Sequence, residues 1–298
     1  MAMTDAVVTA LSDQARAKVN LTLRVVGRRA DGYHELESVV VFADCADALT
    51  LTPGEELGLT ATGPRVEECG ATADNLVLKA ARLLSELVPG LKLGRFSLDK
   101  QLPIAAGIGG GSADAAAALR LLAKLNGLAL DDPRLMEAAR RTGADVPVCV
   151  GSASCIMSGI GERLQKLPLP RLPVVMVNPR VGVATKDVFT ALGLKNGELR
   201  AAGQVAPAWP QGDAPLADWI AALLAGVNDL EVPAKQVQPV VGEVLAVLAA
   251  ADGSRLTRMS GSGATCFALF GSDAEAAAAA RAISAAHPNW WVHAGSLS

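Results

Sequence analysis

A run of glycines constrains this chain more than any other feature. Gly107, Gly109, Gly110 and Gly111 stand within Pro103-Ile-Ala-Ala-Gly-Ile-Gly-Gly-Gly-Ser-Ala-Asp114, directly ahead of a stretch rich in alanine and leucine. Glycine reaches positive φ without steric cost and lets the backbone come close to an anion. The first N–H groups of a helix lack intrahelical partners, and the helix dipole favours negative charge there. A glycine loop feeding a helix is therefore a ready phosphate site. Ala113 to Leu125 is almost wholly strong helix formers. It is expected to be that helix, with Ser112 as its N-cap, Asp114 in its first turn and Asn126-Gly127 as its stop. Two common glycine motifs do not fit. No lysine follows for a Walker A loop, and Ser112 stands where a dinucleotide fingerprint needs its third glycine. Four glycines are also more than a tight strand-to-helix turn requires.

Composition removes several function classes. A net charge of −3 leaves no electrostatic footprint for nucleic acid or an anionic membrane. Aromatic residues make up 3%, too few for single-strand stacking platforms. No apolar run approaches the length of a membrane span. The N-terminal segment carries Asp5 and Asp13 with no basic n-region, unlike a secretory signal. Cys45, Cys69, Cys149, Cys155 and Cys266 form no C-x-x-C pair, and His34, His287 and His293 form no metal-ligand cluster. The cysteines read as buried thiols of a reducing compartment, and the expected location is the cytoplasm.

Along the chain, Val19 to Val26 alternates like a strand, and residues 28–32 read as a turn. Leu36 to Phe42 and Ala48 to Leu51 read as two strands separated by Asp44 and Asp47. A helix is expected from Asn75 to Leu87 and a strand from Arg95 to Asp99. Asp132-Pro133 opens a helix that runs to Arg141 and stops at Gly143. Pro147 to Met157 reads as a strand. Without regular βαβ alternation the class is α+β. Pro168, Pro170 and Pro173 mark a linker, dividing residues 1–166 from 167–298. Beyond it come a strand at Val174 to Val177, a helix from Thr185, a Gly/Pro region over 193–213 and a helix from Leu216 to Leu224. A further helix spans Ala234 to Leu248. Strands at Arg255 to Met259 and Thr265 to Phe270 flank the turn Ser260-Gly-Ser-Gly263. A helix from Ala274 to Ala286 and a strand at Trp290 to Val292 follow. This order resembles a split βαβ, ferredoxin-like layer.

Three further segments carry chemistry: Ala15-Arg-Ala-Lys-Val-Asn20, Gly143-Ala-Asp-Val-Pro147 and Ser260-Gly-Ser-Gly-Ala-Thr-Cys266. A lysine, an aspartate and two glycine turns together point to phosphoryl transfer, which needs positioning, charge stabilisation and a carboxylate for the hydroxyl proton. Pro103 to Ala117, Ala15 to Asn20 and Ser260 to Cys266 resemble the three motifs of the GHMP kinases. Asp31-Gly-Tyr-His34, Gly143 to Pro147 and Asn228-Asp-Leu-Glu231 are similar to the member whose acceptor is a cytidine diphosphate-linked methylerythritol. The resemblance covers nearly the whole chain in the right order.

That resemblance implies an α+β, two-domain GHMP kinase fold, with an N-terminal ribosomal-protein-S5-like domain and a C-terminal ferredoxin-like domain. It implies an ATP-dependent kinase acting on the 2-hydroxyl of that small molecule in non-mevalonate isoprenoid precursor biosynthesis. Asp145 is implied as the base and Lys18 as its neighbour. Pro103, Ile104, Ala105, Ala106, Gly107, Ile108, Gly109, Gly110, Gly111, Ser112 and Ala113 are implied to hold the ATP phosphates, with Asn75 and Lys100 near the adenine. Asn20, Tyr33, His34, Thr185 and Phe189 are implied at the cytidine end of the acceptor. Mg2+ is expected with ATP. Its protein ligands are unassigned, because Ser112-Ala113-Asp114 replaces the usual Ser-Ser-Asn and Ala105-Ala106 replaces further glycine. A monomer or weak homodimer is expected. The other readings are a homoserine- or mevalonate-type kinase, disfavoured by the Gly-Tyr-His segment, and a non-catalytic nucleotide-binding protein, disfavoured by the presence of both Lys18 and Asp145.

Overall fold

The computed structural model describes residues 9–66, 74–200, 208–211 and 213–298. Asp5, Cys69 and residues 201–207 and 212 of the Gly/Pro region lie outside the described residues. In chain order the elements are β1 (Leu11–Asn20), β2 (Arg24–Arg28), β3 (His34–Gly54), β4 (Gly58–Thr62), α1 (Leu76–Leu87), β5 (Leu93–Asp99), α2 (Gly110–Asn126), α3 (Pro133–Thr142), α4 (Val146–Gly151), β6 (Cys155–Gly159) and β7 (Arg163–Lys166). There follow β8 (Leu172–Asn178), α5 (Thr185–Leu192), α6 (Leu216–Leu224), α7 (Glu231–Val237), α8 (Val240–Ala249), β9 (Leu256–Met259), β10 (Cys266–Leu269), α9 (Asp273–Ala286) and β11 (Trp291–Leu297).

The chain divides into two compact units. Among the described residues, the first comprises those up to Ala15, Ala46–Leu102 and Gly111–Gly151; the second comprises Arg16–Cys45, Pro103–Gly110 and Ser152–Ser298. In the first unit the end of β3 pairs antiparallel with β5, Ala48 opposite Asp99 through Gly54 opposite Leu93, and β4 joins β5 in parallel. Leu49, Leu51, Phe96 and Leu98 alternate along these strands and are buried, as the period-two rule requires of a one-sided sheet. α1 packs on α3. Asn75 caps α1, its Oδ1 accepting from Val77 N, and Asp132 caps α3 by accepting from Arg134 N. α2 buries Ala113 through Leu119 and Leu121 through Ala123. A helix covered on nearly all sides needs an apolar circumference, and alanine supplies it with little bulk.

In the second unit, β2 and β6 flank the start of β3, and β7 continues from β6. A four-stranded antiparallel sheet has the order β11-β8-β10-β9. Chain order β8, β9, β10, β11 mapped onto that spatial order is the split βαβ arrangement expected from the sequence. α9 covers β8 and β11, and α8 covers β9 and β10. β8 is buried along its whole length. Val175, Val177, Met259, Cys266, Ala268, Val244, Leu248 and Ile283 belong to this unit's apolar core.

Several expected elements differ. Residues 36–42 and 48–51 are parts of one strand, β3, because Asp44 and Asp47 find partners instead of breaking it. Asp44 accepts from Ser296 N and meets His293, while Asp47 is fully buried. The strand expected over 19–26 is broken into β1 and β2. The strand expected over 147–157 is the helix α4 followed by β6. Pro147 sits in the first turn of α4, where a missing N–H costs nothing, and β-branched apolar residues in so short a run are ambiguous between states. The helix expected over 234–248 breaks into α7 and α8 at Gln238-Pro239, where proline removes an internal donor. α2 begins at Gly110, so Ser112 lies inside its first turn instead of capping it, and Asp114 lies beyond that first turn. Among the described residues no helix is long and apolar enough to cross a membrane.

Candidate active site

The second unit brings the glycine loop, Lys18 and the second glycine turn together. Lys18 N donates to the Ile108 carbonyl at 2.9 Å, laying β1 against the loop. Gly109 takes φ +63°, and a Cβ there would lie 3.3 Å from both Cβ and Cε of Lys18. The lysine stem, 4% exposed, thus fills the space that a glycine leaves. Gly107 takes φ +73°, and its missing Cβ would lie 2.5 Å from the Ser260 carbonyl oxygen and 2.8 Å from the nitrogen and oxygen of Gly263. Ser260 Oγ donates to the Gly107 carbonyl at 3.0 Å and accepts from Asn20 N at 3.1 Å. Thr265 N donates to the Ala106 carbonyl at 3.0 Å. The two glycine turns are therefore one hydrogen-bonded body.

Asn228 braces this body from behind. Its Nδ2 donates to the carbonyls of Met259 and Gly261 at 2.7 and 2.8 Å, and its Oδ1 accepts from Leu230 N. On the other side, Ser38 Oγ donates to the Thr22 carbonyl and accepts from Asn20 Nδ2 at 2.7 Å. That relay fixes the orientation of the Asn20 amide. Asn20 Oδ1 is left buried without a hydrogen-bond partner among the described residues, an acceptor available to a ligand donor. Ser38 was not singled out in the sequence, and Asp47 was read only as a break between strands. A serine or aspartate inside an apolar strand was the only signal they offered.

The same unit places His34 at the start of β3, stacked on Phe189 of α5 with ring centroids 4.3 Å apart and planes at 24°. Burial, then the nearby Arg28 charge, hold the His34 imidazole below its ordinary value, which favours the neutral ring. His34 Nε2 is buried and makes no hydrogen bond among the described residues. Tyr33 is 59% exposed. Thr185 Oγ1 and Ser262 Oγ are hydrogen-bonded at 2.8 Å. Burial pushes the Cys155 thiol up to about 11, against the pull of Lys18, so Cys155 offers no thiolate nucleophile at neutral pH.

The first unit holds Asn75, Lys100, Ser112, Ala113 and Asp145. Asp145 is half-buried immediately before α4, and its carbonyl accepts from Cys149 N at 3.3 Å. Lys100 is 4% exposed, and its ammonium donates to Asp47 and Asp114. The Asp114 carboxyl is pushed up to about 7, first by burial and further by Asp47, against the attraction of Lys100. Asp114 Oδ2 is taken by that ammonium, and Asp114 Oδ1 is buried with no hydrogen-bond partner among the described residues. Among the described residues no three His, Cys, Asp or Glu side chains are grouped to hold a metal.

The model of the GHMP kinases N terminal domain matches residues 75–153, and that of the GHMP kinases C terminal region matches residues 214–289. The chain is 80% identical over 295 residues to a 4-diphosphocytidyl-2-C-methyl-D-erythritol kinase of Rhodopseudomonas palustris (strain BisA53), covering 98% of this chain and 99% of the relative. A crystal structure of 4-(cytidine 5'-diphospho)-2C-methyl-D-erythritol kinase superposes with a TM-score of 0.74 at 35% identity, over 97% of this chain and 99% of that one. A homoserine kinase structure from Cytophaga hutchinsonii, at 18% identity and TM-score 0.68 over 99% and 97% of the two chains, shares the fold. By sequence along its whole length and by fold, the chain belongs to the 4-diphosphocytidyl-2-C-methyl-D-erythritol kinases, within the GHMP kinases.

Proposed function

We propose that the chain transfers the terminal phosphoryl group of ATP to the 2-hydroxyl of 4-diphosphocytidyl-2-C-methyl-D-erythritol. The observation that carries this reading is the Lys18 stem packed under Gly109, a cation built against the backbone of a glycine loop. The 80% identity to a kinase of that name supports the acceptor.

In this reading, residues 103–113 present backbone N–H groups to the ATP phosphates, and Asn75 stands at the adenine end. The acceptor oxygen bonds to the terminal phosphorus as the bond to the ADP oxygen breaks, and Asp145 takes the hydroxyl proton. Lys18 supplies positive charge where the phosphoryl oxygens need it; such fixed charge is worth more in a dry site than in water. The His34–Phe189 stack and Tyr33 offer flat faces to the cytosine. Thr185 and the unpaired Asn20 Oδ1 add polar contacts to the acceptor. Mg2+ would accompany ATP and would bind largely through its phosphates, as this ion prefers. We also take residues 1–166 and 167–298 as the two domains, which the family-model ranges support. The buried thiols of Cys155 and Cys266 suit the reducing cytoplasm.

The test is phosphate transfer from ATP to the cytidine-diphosphate acceptor by the purified protein, with Asp145→Asn alongside. Loss of the base is expected to slow turnover by roughly 10²–10⁴-fold with ATP still bound. Binding of ATP without transfer, or a variant as fast as wild type, refutes the reading. Thermal protection by cytidine monophosphate checks the nucleobase pocket separately.

A further inference from the structure

The stretch from Lys100 to Asp114 contains the whole glycine loop, and its two ends are tied together. Lys100 Nζ donates to Asp114 Oδ2 at 2.8 Å across a separation of 14 residues. It also donates to Asp47 Oδ2 at 2.5 Å. The other oxygen of Asp47 accepts from the backbone nitrogens of Gln101 and Leu102 at 2.6 and 2.8 Å. One carboxylate on β3 thus holds three consecutive residues that lead into the loop. Asp114 holds the same lysine from α2, after the loop. Lys100, Asp47 and Asp114 are 4%, 0% and 3% exposed.

This is an expensive arrangement for a plain structural brace. Two carboxylates share one ammonium. Asp47 has three donors. Asp114 has one, and its Oδ1 makes no hydrogen bond among the described residues. Burying a poorly satisfied carboxylate is unfavourable, and the neighbours of Asp114 on α2 are alanines. Lys100 would be neutralised by Asp47 alone. What Asp114 adds is the link between the chain entering the glycine loop and the helix leaving it.

We propose that Asp114 and Lys100, anchored by Asp47, form a positioning clamp that draws the two stems of the glycine loop together and sets its grip on the nucleotide phosphates. The inference rests on the reading of that loop as the ATP phosphate site. Closing the stems removes loop conformations before the ligand arrives, so less order has to be imposed on binding. Asp114 acts through the loop and is a positioning residue. Its loss falls on the ATP side of the reaction.

The experiment compares wild type, Asp114→Leu and Asp114→Asn for the KM of ATP, the KM of the acceptor, kcat, and backbone hydrogen exchange over residues 103–110 without nucleotide. Asp114→Leu removes the second carboxylate and leaves Lys100 paired with Asp47. It is expected to raise the ATP KM about tenfold, to leave the acceptor KM within about twofold, and to speed exchange in the loop while α1 and α3 stay protected. Asp114→Asn keeps an acceptor for Lys100 and is expected to fall between. If Asp114→Leu does not fold, the Asn variant decides by the same readouts. An ATP KM and loop exchange equal to wild type overturn the proposal, as does an equal rise in both KM values. Exchange is read without nucleotide, so a wild-type protein that turns over no ATP sinks the kinase reading while the exchange comparison still judges the clamp.

Discussion

Gly107 is the residue whose substitution the structure predicts most sharply. Its φ of +73° is left-handed, which costs an alanine about 1–2 kcal/mol. The new Cβ would also lie 2.5 Å from the Ser260 oxygen and 2.8 Å from two backbone atoms of Gly263. All three are backbone atoms, so no side chain can swing aside. Forced overpacking of this kind costs about 1–3 kcal/mol, giving roughly 2–5 kcal/mol for Gly107→Ala when the two terms are added. Gly197→Ala isolates the first term, because Gly197 has φ +80° and no atom within 4 Å of a built Cβ. Both glycines lie in the second unit, and so does the fully buried Trp219. Urea unfolding followed by tryptophan fluorescence therefore reads both variants with one probe. Gly107→Ala is expected to lose about 1–3 kcal/mol more than Gly197→Ala, with unchanged slope, and to lose thermal protection by ATP. Equal losses in the two variants refute the argument that the two glycine turns meet at Gly107.

Three further outcomes are expected. Asn228→Ala removes the donor to Met259 and Gly261 and the acceptor for Leu230; a loss of about 2–4 kcal/mol in the same urea assay is expected, and a loss under about 0.5 kcal/mol, the lower end for one hydrogen bond, counts against the brace. His34 is held below its ordinary value by burial and then Arg28. Its neutral form contributes stability that is present above pH 6.5 and lost as pH falls through the lowered folded value, so His34→Gln should soften the acid-side drop in the urea midpoint; an identical acid limb argues against it. Asp114 is raised from 3.8 to about 7. Its contribution is present below pH 3.8 and lost as pH rises through about 7, so Asp114→Asn should gain on wild type as pH rises from about 4 to about 7. A difference that stays constant across that range removes the case for a strained carboxylate.

Much of the architecture was legible in local chemistry. Asp132-Pro133 marked the start of α3, the alanine-rich run marked α2, and the strand–helix order after Val174 foretold the β11-β8-β10-β9 sheet. The errors arose where the deciding partner was remote in sequence. Asp44 and Asp47 looked like strand breakers. One instead meets Ser296 and His293, and the other grips Gln101 and Leu102. The Pro239 break was visible in principle, since an internal proline ends a helix, and it was overridden by apolar spacing on both sides.

The sequence by itself determined the kinds of element and the chemical vocabulary of the site: glycines for close backbone approach, a lysine, an aspartate before a short helix, a histidine and a phenylalanine. It could not determine why each glycine is needed. The space at Gly107 is taken by a turn 153 residues away, and the space at Gly109 is taken by the stem of Lys18. Nor could it determine that Asp114 faces inward to a lysine it shares with Asp47. Helix propensity and periodicity act over a few residues and are readable in a single string. Burial, hydrogen-bond partnering and the charge of a neighbour are set by what the fold brings alongside, and only the tertiary structure decided them.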